Sequence, residues 1–258
     1  MIYELREYSF GETIGKGFSL YFNNFIQIFV ISLLCQIPLF LLMNYFGIFD
    51  LEEISFTFDT ARYLTVYFAN IITKLVLSAW ITYFVSQKFL EDSSIVPNPR
   101  SGGLILLLIK SIIISIIVAF LTLLGVVALI IPGIIIAIGY SIAINILVVE
   151  RKSIWQSMKR SWILTRGDRG QIFGLLFVVG IIVGVFGFVL KMLVLYLVKD
   201  IQWMGYLNMM LSALIEPINS CLTVVIYFNM RIKKEGFNIE HLTGQFSLAK
   251  EAGPTMEG

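Results

Sequence analysis

Long apolar runs set the pattern of this chain, and short polar stretches divide them. The runs cover roughly residues 25–47, 63–87, 104–131, 134–149, 171–197 and 205–230. A helix needs about twenty apolar residues to cross a hydrocarbon core of about 30 Å, so runs of this length point to a bilayer. The pattern predicts an all-α polytopic membrane protein with about six transmembrane helices. Pro38 falls inside the first run, where a missing N–H is expected to kink the helix. Between the third and fourth runs, Pro132-Gly133 has the residue types of a type II turn. The fourth run, Ile134 to Val149, rises only about 24 Å as a helix. That turn is therefore expected inside the outer leaflet, with neighbouring helices covering its backbone groups.

Two stretches follow a helical period with polar positions on one side. After Ser153, residues Ile154, Trp155, Met158 and Trp162 share one face, while Gln156, Lys159 and Arg160 fall elsewhere. Ser153 with Gln156 fits a capping box, and Gly167 fits a C-cap. The spacing predicts an amphipathic helix over 153–166, lying flat at the membrane surface; the alternative is a connecting helix that packs on its neighbours. Ser9 with Glu12 repeats the capping signature. Phe10, Ile14, Phe18 and Tyr21 then recur at steps of three and four, predicting a second interfacial helix weakened by Gly11 and Gly17. The organisation is thus an N-terminal interfacial segment (1–24), a six-helix membrane domain (25–230) and a tail (231–258). Each amphipathic stretch precedes the same tripeptide, Gln27-Ile28-Phe29 and Gln171-Ile172-Phe173, a hint of internal duplication. Gly180 and Gly184 have the Gly-x-x-x-Gly spacing that lets helices approach closely.

Composition agrees: 58% of residues are hydrophobic and 14% charged, against about 25% charged in soluble domains. The net charge of +2 matters less than its distribution. Six spans gather Arg6, Lys16, Lys88, Arg100, the six basic residues from 151 to 169, and Arg231, Lys233, Lys234 and Lys250 on one side. The other side receives Arg62 and Lys199. Basic residues stay in the cytoplasm, so a multi-pass protein of the cell membrane with both termini cytoplasmic is expected. No cleavable signal pattern precedes the first run, which would serve as an uncleaved insertion signal. Cys35 and Cys221 both sit in apolar runs and read as free thiols.

The run Pro132-Gly133-Ile134, then Val148-Val149-Glu150, then Arg160-Ser161-Trp162-Ile163-Leu164-Thr165-Arg166-Gly167 resembles the membrane domain of glycerophosphoryl diester phosphodiesterases and related prokaryotic integral membrane proteins. Pro217, Tyr227-Phe228-Asn229-Met230-Arg231 and Glu235-Gly236-Phe237 extend the resemblance over nearly the whole chain. The family often has Asp where this chain has Asn229. The resemblance implies a multi-helix membrane fold and carries no catalytic residues, because hydrolysis in those enzymes belongs to a separate soluble barrel.

Candidate chemistry is sparse. A single His241, in the tail, excludes a multi-histidine metal site, and no phosphate loop or nucleophile–base pair is evident. No enzyme, cofactor or metal is expected. Lys74, Lys110, Lys191 and Glu216 lie inside spans; Lys110 and Lys191 are near enough to an end to snorkel. Lys74 lies fourteen residues before Lys88 and Glu216 fifteen before Arg231, depths of about 21 and 22 Å from the same border. A lone charge at mid-membrane costs roughly 2.5–3.5 kcal/mol, so the two are expected to pair. Pro217 disfavours helical geometry at Glu216, which predicts a helix break beside the carboxylate. Lys74, Glu216 and Pro217 are the candidate midplane site, with Gln36, Asn70, Asn145 and Asn219 as further members of a polar network. The alternative is a protonated Glu216 bonded to a neighbouring helix, with Lys74 facing a wet crevice. The candidate headgroup contacts are Arg151, Lys152, Trp155, Lys159, Arg160, Trp162 and Arg166. Two functions fit: a non-enzymatic membrane protein that organises the membrane or a partner, and a transporter or channel-like subunit for a small solute or lipid. Expected partners are membrane lipids and another membrane or peripheral protein, not nucleic acid.

Overall fold

The computed structural model of the chain describes residues 6–46, 56–92, 104–198 and 201–236. Most of the connections expected at 48–61 and 88–103, and the tail with His241 and Lys250, fall outside those residues. Among the described residues the elements are helices: α1 (Phe10–Asn23), α2 (Phe25–Tyr45), α3 (Phe56–Asp92), α4 (Leu104–Ala128), α5 (Ile130–Tyr140), α6 (Ala143–Glu150), α7 (Ile154–Thr165), α8 (Arg169–Leu197), α9 (Ile201–Ile215) and α10 (Pro217–Glu235).

Among the described residues, six stretches are long and apolar enough to cross a membrane: α2, most of α3, α4, α5 with α6, α8, and α9 with α10. The chain is an all-α, multi-pass membrane protein, with α1 and α7 as short amphipathic helices outside the spans. Its outer surface is apolar, as Phe177, Ile181, Phe188 and Val189 on α8 are all exposed. Such a surface suits lipid, whose tails satisfy it without burial. The core is centred on α10, where Val224, Val225, Tyr227 and Phe228 are fully enclosed with Ile28, Ile81 and Leu175.

Both capping boxes form. The Ser9 hydroxyl accepts from the Glu12 N–H and the Glu12 carboxylate accepts from the Ser9 N–H; Ser153 and Gln156 do the same. Past α7, Gly167 takes φ +93°, the left-handed conformation that glycine tolerates. Gly17, which weakens α1 as a helix, lets it lie on α10: a Cβ there would come 3.3 Å from the Leu222 Cα.

Three expectations need correction. The chain turns at Leu129, whose backbone is extended (φ −164°, ψ 141°), and not at Pro132-Gly133. Pro132 sits in the first turn of α5, where its missing N–H has no helical partner to lose. Gly133 instead forms the seam of the α4–α5 hairpin, where a Cβ would lie 2.7 Å from the Val126 nitrogen. Second, Gly180 and Gly184 are exposed with nothing within 4 Å of a built Cβ, so among the described residues they make no close helix approach. Third, α7 packs on its neighbours through a face rotated from the expected apolar stripe, sharing Met158 with it. Ser157, Met158, Ser161, Leu164 and Thr165 are buried, while Trp155 and Ile163 are exposed. Small hydroxyl residues allow this: the Ser161 hydroxyl donates to the Gly139 carbonyl at 2.8 Å, and Trp162 covers Gly139.

The hint of duplication acquires structural content. Buried Thr13, Gly17, Leu20 and Tyr21 of α1 correspond to buried Ser157, Ser161, Leu164 and Thr165 of α7, each pair 144 positions apart, as Ser153 is from Ser9. The same offset joins buried Ile28 to buried Ile172. It also joins Asn24 (φ −115°, ψ 21°) to Asp168 (φ −110°, ψ 11°), the residues that open α2 and α8.

Candidate functional site

α2, α3 and α9–α10 meet around a crevice of about 220 Å³. Lys74 Nζ stands 2.9 Å from Glu216 Oε1 in its lining, so the chain brings together two charges 142 residues apart. The lysine side chain is 53% exposed and the carboxylate 28%. Gln36, Asn70, Thr73, Asn208 and Ser212 supply a polar lining, and Leu39, Met43, Gly205 and Met209 the rest. The ion pair also ties α3 to the junction of α9 and α10, beside a bond from the Ser220 hydroxyl to Ser78 at 3.3 Å.

The expected division falls at Glu216, between α9 and α10, but against the expectation from Pro217 the residue itself keeps helical dihedrals. Glu216 has helical φ −59° and ψ −36°, and its N–H bonds the Ser212 carbonyl at 3.0 Å. Proline at the start of α10 removes only the donor that would meet the Ala213 carbonyl. Neighbouring side chains serve this stretch. Tyr21 donates to the Leu214 carbonyl at 2.7 Å. The Gln36 amide, oriented to satisfy both ends, donates to the Met209 carbonyl at 2.9 Å and accepts from the Ala213 N–H at 3.1 Å.

Of the expected polar network, Gln36 and Asn70 line the crevice. Asn145 is buried on α6 and Asn219 is exposed on α10, both outside the lining. Asn208 and Ser212, which sequence reasoning missed, complete it. They lie eight and four residues before Glu216, a helical stripe that its position in an apolar run conceals.

A second ionic cluster closes the end of the bundle that carries α7. Glu150, only 9% exposed, holds Lys152 at 2.8 Å and Arg160 at 2.6 Å, and accepts from the Tyr227 hydroxyl at 3.0 Å. Arg160 and Arg231 then share Glu235, at 2.8 and 3.1 Å. Arg151 takes a left-handed φ of 53° that reverses the chain between α6 and α7, and its guanidinium sits over the Tyr83 ring. Asp168 holds Lys233 at 2.7 Å and Lys234 at 3.1 Å. Burial alone would raise its carboxyl, but the two ammonium groups outweigh it and hold Asp168 below the usual range.

The expected headgroup set is thereby divided. Trp155, Lys159 and Arg166 face outward. Arg160 turns into the Glu150–Glu235 cluster, and Trp162 lies against Gly139 and Tyr140 with the Arg169 guanidinium 3.8 Å from its ring. A groove of about 380 Å³ remains between Lys152, Gln156, Lys159, Arg160, Ile163 and Glu235. At the opposite edge of α10, buried Asn229 accepts from the Tyr8 N–H at 2.8 Å and donates to the Tyr8 carbonyl at 3.2 Å. It clasps the segment that leads into α1. No family model matches this chain, and neither a curated protein nor a solved structure shows detectable similarity to it.

Proposed function

We propose that this is a non-enzymatic protein of the cell membrane that binds and passes a small polar solute at the Lys74–Glu216 crevice. The observation that carries the reading is that ion pair, set in a polar-lined cavity between spans. Ionisable side chains within membrane spans are costly and mark solute or ion pathways by default. The spacing between the α1–α2 and α7–α8 units supports it by analogy, since internal repeats recur among transporters. Both termini are assigned to the cytoplasm from the placement of basic residues. Kinship with glycerophosphoryl diester phosphodiesterase membrane domains is part of the proposal; it contributes a scaffold and no catalytic group.

The test is uptake of a panel of labelled small solutes into proteoliposomes, comparing the native protein with Glu216→Gln. Uptake by the native protein that the variant loses supports the reading. Uptake equal to protein-free liposomes across the panel, or unchanged by the variant, refutes it.

A second reading, organisation of the membrane or a partner, draws on a different observation. Trp155 is 72% exposed beside Lys159, which makes no ion pair among the described residues, and both border the α7 face. An indole flanked by ammonium groups suits the boundary between acyl chains and anionic headgroups. Membrane lipids are the partner in that reading.

A further inference from the structure

Two polar stripes meet at the crevice. On α3, Asn70 and Lys74 stand one turn apart; on α9–α10, Asn208, Ser212 and Glu216 follow at intervals of four. The α3 stripe offers donors, an amide and an ammonium. The facing stripe offers acceptors, the Glu216 carboxylate and the Asn208 Oδ1. That amide oxygen is buried without a hydrogen-bond partner among the described residues. A buried carbonyl oxygen left without a donor is costly, and few native groups are left so.

The existing ion pair limits what can enter. A simple cation would compete for Glu216 and leave the Lys74 ammonium unpaired. A simple anion would strand the carboxylate in the same way. Either loss is costly for a charge held between membrane spans. A ligand with both charges exchanges one ion pair for two, and the site stays neutral. With the Asn208 amide turned toward the crevice, its ammonium would also supply the donor that the amide oxygen lacks. Resting on the crevice as the working site, we propose that it takes a small zwitterion: an ammonium and an acidic oxyanion on one short skeleton. The oxyanion would sit on Lys74 and Asn70, and the ammonium on Glu216 and Asn208. The cavity of about 220 Å³ is smaller than the pockets of roughly 300–1,000 Å³ that hold drug-sized ligands, so the skeleton must be short. Lys74 lies about 21 Å along its helix from Lys88, well inside the core, which favours a free solute over a lipid headgroup.

The test is equilibrium binding of labelled glycine to the full-length protein in detergent, with acetate, methylammonium and glycerophosphoethanolamine as competitors. Glycine is expected to bind, with neither half-ligand displacing it at equal concentration. Asn208→Leu is expected to weaken glycine at least tenfold, about 1.4 kcal/mol, without lowering the thermal stability of the empty protein. A merely structural Asn208 would leave glycine affinity unchanged in that variant, and this result overturns the assignment. Lys74→Met with Glu216→Gln is expected to abolish binding. Displacement by acetate or methylammonium alone reduces the site to a simple ion site and refutes the zwitterion. Displacement by glycerophosphoethanolamine far below the glycine concentration assigns the site to a headgroup and refutes the free solute. Failure of glycine and glycerophosphoethanolamine alike to bind also refutes it. The crevice reading fails separately, if solute uptake survives Glu216→Gln.

Discussion

At Asn229 an amide does what a carboxylate cannot, because it accepts from the Tyr8 N–H and donates to the Tyr8 carbonyl at once. Asn229→Asp keeps the acceptor, loses the donor and places a charge in a fully buried position. Loss of about 2 kcal/mol or more is expected in thermal unfolding, and equal stability would show that the clasp does not hold the entry to α1. The Lys74–Glu216 pair is tested by a double-mutant cycle with Lys74→Met and Glu216→Gln. The single losses should exceed additivity by about 1 kcal/mol, and simple addition would mean that the groups do not interact. Both charges were legible in the sequence, since a helical rise puts them at one depth, but depth does not say which spans are neighbours. Asn208 and Ser212 were not legible as site residues. A lone amide or hydroxyl in an apolar run bonds to a nearby helix as readily as it lines a crevice.

At the scale of elements, hairpins and helix ends carry the predictions. Gly133→Ala puts a methyl against the Val126 backbone and is expected to cost about 1–3 kcal/mol through overpacking. Gly180→Ala, in open surroundings, is expected to be neutral or slightly stabilising in detergent. A reversed order would place the tight seam elsewhere than in the α4–α5 hairpin. Asp168 fastens the start of α8 to the end of α10 through Lys233 and Lys234. Its depressed carboxyl contributes stability that is full above the unfolded value near 3.9 and lost as pH falls through the lower folded value. Asp168→Asn should therefore cost about 1 kcal/mol at neutral pH, a modest figure because the lysines are partly exposed. Its unfolding temperature should meet that of the native protein only below about pH 4; a gap that closes by pH 6 would contradict the assignment. The capping boxes at Ser9 and Ser153 were legible because their signal is local. The turn at Leu129 was not, since proline and glycine serve a first helical turn and a close seam as well as a reverse turn. Nor was the inward face of α7, where hydroxyls pack at positions that hydrophobic periodicity assigns to water.

For the whole molecule, six apolar runs announced a membrane protein because lipid demands helices of a certain length and little else. Which helices adjoin is decided by many small contacts, and those have no periodic signature. Orientation is open to direct test: a single cysteine at position 156, in a background free of Cys35 and Cys221, should react with impermeant reagent only after the cell is opened. Reaction from outside intact cells would invert the assigned topology. The central claim is that the space beside Lys74 and Glu216 is a wet site for solute rather than a seam between helices. Thiols react as thiolates, which form in water and not among acyl chains. The most direct measurement is therefore the rate at which a small water-soluble methanethiosulfonate modifies Ser212→Cys in membranes, beside Ile181→Cys on the outer face of α8. Rapid modification at 212 and slow modification at 181 is the expected result; equally slow reaction at both would contradict the claim.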